Sequence, residues 1–287
     1  MKPAYNPGRR NRNCGTAKHG RGQNNKLVVP DHWPHTGRAF YEEISPCVKI
    51  VRAIGAQKVT FLVQRVQSGW FHPCTVEDIC VVLRHLPPED IEKIHFIVLR
   101  QPTRKQRILS PVWGRAKFSF APDFKASRGA AVILEAQCLQ PFKWEKAMTP
   151  DRRREFERLQ QDGHLMVGSN HHFFILRPDA VSLRRTLLYR TLLHEIGHCV
   201  DDHNHDPSGW ASRSSLQKED FAHRYAAETY AMLEKANAVP FLPQFDVAEM
   251  LRDGLTPDDF LPPAHSLAEL ADSPALGASA ATSSPMV

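Results

Sequence analysis

Apolar positions along the chain follow two periods in turn. Thr75, followed by Asp78 and the series Ile79, Val82, Leu83 and Leu86, predicts a capped helix over 75–86 that Pro87 and Pro88 stop. A second helical segment is expected near residues 40–55. The runs 94–100, 112–120, 130–139 and 172–177 are β-branched or aromatic and are punctuated by Pro, Gly, Asp or Ser. They predict a sheet of at least four strands. Pro150 and the charged run after it open a helix that ends at Gly163, and two long helices are expected near 180–203 and 216–236. With the strands first and the long helices after them, the predicted class is α+β.

The ends of the chain break this pattern. Residues 1–30 are rich in Arg, Asn, Gly and Lys and carry little that could be buried, so they read as a disordered basic arm. Residues 240–287 carry seven prolines and end without a periodic apolar face, so that tail reads as mostly disordered, with a short docked piece around Phe241 to Phe260. Residues 31–239 are left as the folded domain.

Charge then changes one inference. The formal charge of +6 suggests an acidic partner, yet seven of the 37 Lys and Arg lie in residues 1–30, where there is no acid. That leaves 30 basic residues against 31 acidic ones, a nearly neutral body with a basic arm. Nucleic-acid contact by the arm is a weak expectation, because no base-reading element accompanies it. No apolar run suits a membrane span or an ordinary signal peptide. The scattered cysteines read as free thiols, and the expected location is cytoplasmic, or outside the cell by a route without a signal peptide.

Candidate chemistry centres on His194-Glu195-x-x-His198 within the 180–203 helix. Two His four residues apart share a helical face, so both rings can reach one Zn2+ ion. Glu195 is rotated by roughly 100° from His194, beside the ion rather than on it, as a general base should be. Leu188, Leu192, Leu193, Ile196, Cys199 and Val200 form an apolar arc opposite His194, His198 and Asp201. Gly197 costs a helix interior about 1 kcal/mol relative to Ala, which asks for a local reason such as close packing.

A third protein ligand is needed. The metzincin position is Asn204, flanked by His203 and His205, so that type fits poorly. The 216–236 helix offers Glu219 and Glu228, which project about 180° apart. Glu219 shares its face with Ala222, His223, Ala226, Tyr230 and Leu233, whereas Glu228 points with Arg224 and Lys235 to the polar side. His223 and Tyr230 are candidates for stabilising an oxyanion. His72, Cys74, Cys80 and His85 fit no ordinary zinc module and read as buried thiols and surface imidazoles.

Together, HEIGHCVDD and the later EDFAHRYA resemble the gluzincin zinc peptidases, most closely the catalytic domains similar to anthrax lethal factor, over about 45 residues. The resemblance implies a zincin-like fold with a mixed sheet and two ligand-bearing helices. It implies a zinc metalloendopeptidase acting on a peptide or protein, with His194, His198 and Glu219 as ligands and Glu195 as base. Asp201 would orient an imidazole. A strand edge near 172–177 could pair with the substrate backbone. Such domains carry a tyrosine shortly before the third ligand; residues 206–218 contain Trp210 and no Tyr. The alternative is therefore a catalytically inactive zinc-binding scaffold or interaction module.

Overall fold

The computed structural model describes residue 44 and residues 46–109, 112–122 and 128–263. The basic arm at 1–30 and the last part of the tail, 264–287, lie outside the described residues. The described part is α+β, with a mixed sheet.

The body opens with a hairpin. Strands β1 (Val48–Ile54) and β2 (Gln57–Val63) pair antiparallel across Gly55, whose φ of 59° favours glycine. Residues 48–54 are thus a strand, not part of the helix expected near 40–55. The buried Ile50 and Ile54 lie four residues apart, a spacing that suits a helix face and an alternating strand equally. Pairing with Val59, Phe61 and Val63 decides the matter.

Helix α1 (Val76–Leu83) starts as expected. The Asp78 amide donates to Thr75 Oγ1 and the Thr75 amide to the Asp78 carboxylate, both at 3.0 Å. After α2 (Pro88–Ile91) come β3 (Phe96–Arg100), α3 (Arg104–Leu109), β4 (Gly114–Phe120) and β5 (Gly129–Glu135). The sheet order is β1-β2-β3-β5-β4, with β2, β3 and β5 parallel and β1 and β4 antiparallel at the edges. All five residues of β3 are buried, as an inner parallel strand covered on both faces should be.

A second sheet follows, built from β6 (Phe142–Glu145), β7 (Leu165–Ser169) and β8 (Phe173–Arg177), with α4 (Pro150–Asp162) between β6 and β7. Its order is β6-β8-β7. The 172–177 run therefore does not join the other three predicted strands, and β8 lies between two partners without a free edge. Among the described residues, the outer edge of the large sheet beside the metal-motif helix belongs to β4.

The predicted 180–203 helix comprises α5 (Ala180–Arg184), a π-helical stretch Arg185–Thr191, and α6 (Leu192–His203). Next come α7 (Pro207–Ser212) and α8 (Ser215–Lys235), which packs along α6. Buried Val239, Met250, Leu255 and Phe260 join the main core, so the folded body continues past residue 239 through α9 (Val247–Arg252) and a 3-10 turn (Pro257–Phe260). That core also holds Ile79 and Leu83, Ile97 and Leu99, and Leu192, Leu193, Ile196 and Cys199. It presses the apolar arc of α6 against β4 and β5, while the histidine face turns toward α8. Among the described residues no helix is long and apolar enough to cross a membrane.

Candidate metal centre

Two helices meet at the centre, and a glycine lets them come close. A Cβ on Gly197 would lie 3.1 Å from Ala222 Cα and 3.1 Å from Tyr225 Cβ. This tight approach of α6 to α8 is the local reason for a glycine in the helix interior. Tyr225 fixes α8 further by donating its hydroxyl to Asp90 at 2.8 Å.

At this crossing His194 Nε2 and His198 Nε2 are 3.1 Å apart, with Glu219 Oε2 at 3.3 Å from the first and Glu219 Oε1 at 3.5 Å from the second. A tetrahedral ion with bonds of about 2.0–2.1 Å holds its donor atoms roughly 3.3–3.4 Å apart, so the spacing suits one shared ion. The three residues form a group that could hold a metal ion. Glu228 is exposed on the far side of α8. Hydrogen bonds from His194 and His198 hold the Glu219 carboxyl well below the usual carboxylate range. Burial opposes protonation of His198, but Glu219 and Glu195 outweigh it and raise its pKa.

Glu195 is buried beside the group without belonging to it. Burial pushes its pKa up, while His194, His198 and a hydrogen bond from the Ala116 backbone favour the carboxylate. The strand thus touches the carboxylate directly. Gly114 shows how closely: a Cβ there would stand 2.7 Å from Thr191 Cγ2 and 3.4 Å from Glu195 Cγ. Beyond Glu195 and His194 opens a cleft of about 1130 Å³ between the two sheets, lined by Trp70, Trp113, Phe142, Trp144 and several arginines.

No protein family, curated protein or solved structure matches this chain.

Of the two helper candidates, His223 sits one turn after Glu219 with its ring centroid 4.5 Å from that of His194. Burial, His194 and Arg158 lower its pKa to about 4, which keeps the ring neutral at pH 7. Tyr230 lies eleven residues beyond Glu219, roughly 16 Å along the helix axis, and packs on Tyr189. The structure brings His223 to the group and leaves Tyr230 further down the cleft.

Asp201 is fully buried, on the same face as His198, but its partners differ from those expected. Its carboxylate accepts from Arg213 Nη1, and its carbonyl accepts from His205 Nδ1 at 2.7 Å. Arg213 also donates to the Gln217 carbonyl at 3.1 Å and immediately precedes Ser214, the cap of α8. So Asp201 ties the end of α6 to the start of the helix that carries Glu219, and the imidazole it holds by a hydrogen bond is that of His205. Residue spacing could not show this, because Arg213 is brought in by the α7 turn. His72 is buried as well, donating from Nε2 to the Gln64 carbonyl oxygen at 2.8 Å, and is not a surface imidazole. Cys74 and Cys80 are buried free thiols, and His85 is exposed.

Proposed function

We propose that the protein is a zinc-dependent metallopeptidase of the gluzincin type, with a zincin-like catalytic body that hydrolyses a peptide or protein. The observation that carries the reading is the convergence of His194, His198 and Glu219 at 3.1–3.5 Å, with Glu195 adjacent and unligated. His194, His198 and Glu219 would hold the zinc. When bound, zinc supplies a Lewis acid and makes water a stronger nucleophile near neutral pH.

The chain's own residues account for the rest. The outer edge of β4, unpaired among the described residues, runs past Glu195 and offers backbone groups to an extended peptide, the role that β8 cannot fill. Glu195 accepts the proton of the attacking water and delivers it to the leaving amine, a transfer favoured by a carboxyl raised through burial. A neutral His223 can donate an N–H toward the carbonyl oxygen as charge develops there.

Metal analysis of the purified chain should find about one zinc per chain. Glu195→Gln should keep that zinc and lower turnover on a peptide substrate by roughly 10²–10⁴-fold. Full activity in the variant, or a folded protein that binds no zinc, would overturn the reading. Zinc at full occupancy with no cleavage of any peptide by the wild type would instead favour the scaffold alternative.

A further inference from the structure

The cleft beside the metal centre has a chemical character that the metal motif does not specify. Its acidic residues are largely neutralised from within. Glu135 is held by Arg100 and by Arg115, and Arg190 bridges Glu155 and Asp162 at 2.7 and 2.8 Å. Arg107, Lys143 and Arg152 line the same cleft, and among the described residues none of them has a carboxylate partner.

Two of these cations are set on indoles. The Arg107 guanidinium lies 4.7 Å from the centre of the Trp70 ring, and that of Arg152 lies 4.2 Å from Trp144. Stacking restrains a guanidinium while leaving its in-plane N–H groups free for a carboxylate. Arg107 Nε is buried without a hydrogen-bond partner. In the same cleft Trp113 and Phe142 meet edge to face with centroids 6.1 Å apart, which provides an apolar wall. Trp113 directly precedes β4, so a chain laid along that edge would run from the metal centre onto this wall.

We propose that this cleft is the recognition groove for an extended acidic peptide, whose Asp or Glu side chains meet Arg107, Lys143 and Arg152 and whose apolar side chains lie on Trp113 and Phe142. The proposal rests on the peptidase reading for the course of the chain past zinc. Its charge preference, however, can be measured as binding alone. A neutral or basic peptide would leave the stacked cations desolvated and unpaired, and that penalty is the source of selectivity.

The test uses full-length, zinc-loaded Glu195→Gln protein titrated with three short peptides of one sequence, in which the charged positions are Glu, Gln or Lys. Intrinsic tryptophan fluorescence and calorimetry report binding. The Glu peptide should bind at least about tenfold more tightly than the Gln peptide, and the Lys peptide most weakly. The advantage should shrink as salt rises. Arg107→Gln and Arg152→Gln, each checked for an unchanged unfolding transition, should each reduce it, and Arg152→Glu should bring the Lys peptide level with or ahead of the Glu peptide. Equal binding of the three peptides, or a preference for Lys in the parent, would overturn the groove. If the acidic peptide binds as expected but wild-type protein never cuts it, the peptidase reading fails and the groove stands. Cleavage indifferent to charge fails the groove alone.

Discussion

The five-stranded and three-stranded sheets wall the same cleft, but they are packed very differently. In the large sheet β3 is buried throughout and β5 along most of its length, with α1 and α6 sealing one face. The small sheet rests on Trp144, Phe156, Leu159 and Leu176, and its β7 strand leaves Leu165, Met166 and Val167 at 52, 51 and 46% exposure. The wall that holds Glu195 through Gly114 and Ala116 is therefore the one least able to shift. The wall that carries Lys143 and Trp144 has few buried contacts, the condition for local opening at low free energy. Chemistry needs the first kind of wall, and a surface that must adjust to varied side chains is served by the second.

Paired glycine substitutions test this contrast most severely. At Gly114 a Cβ would lie 2.9 Å from the Ile133 carbonyl oxygen, which is backbone in the neighbouring strand, and 2.7 Å from Thr191 Cγ2. At Gly168 on β7 the nearest obstacle is Ile175 Cδ1 at 3.3 Å, the movable end of a side chain. Gly114→Val should cost about 3 kcal/mol in urea unfolding, and Gly168→Val less than about 1 kcal/mol. Equal losses would show that the two walls are equally rigid.

Acidification should sharpen the comparison, because each side holds a buried neutral histidine with its pKa lowered to about 4 by burial: His72 against the large sheet and His164 at the seam. His164 Nε2 is 2.9 Å from Thr186 Oγ1, and its ring contacts both Trp113 and Phe142. An unfolded imidazole takes up its proton near pH 6.5 and the folded one only near pH 4, so both contribute fully above pH 6.5. Their contribution falls as pH drops through that window and levels off below it. Each should account for about 3 kcal/mol, and His164→Gln should remove close to half of the combined loss between pH 7 and 4. An unchanged slope in that variant would remove the seam from the account.

A smaller effect concerns the joint between the ligand-bearing helices. Arg213→Ala should weaken zinc binding about tenfold in competition with a chelator while leaving the unfolding midpoint of the zinc-free chain nearly unchanged. Arg213→Lys should recover part of the affinity. Loss of midpoint with no change in affinity would make the Asp201–Arg213 pair a matter of stability alone.

The group around His194 was legible because its spacing is a local helical property, and Glu219 was separable from Glu228 by face alone. The capped α1 and the strands from Phe96 to Glu135 were legible for similar reasons: caps and long β-branched runs carry their own signal. What escaped depended on neighbours remote in sequence. Ile50 and Ile54 fit both periods until β2 chooses between them. β8 looked like a free edge because β6 is only four residues long and β7 exposes its apolar side chains, so neither announces itself. Asp201 could not be assigned before Arg213 arrived through an intervening turn.

The π-helical stretch Arg185–Thr191 carries a consequence for insertions and deletions. A π segment accommodates surplus backbone within a helix while the flanking turns keep their faces. Losing one residue there would let the chain tighten to an ordinary helix, with Leu183 still toward the core and His194 still toward the cleft. The same deletion within Leu192–His203 would turn every later side chain by about 100° and scatter the ligands. Length variation just upstream of the metal motif should thus be tolerated where variation inside it is lethal to the site.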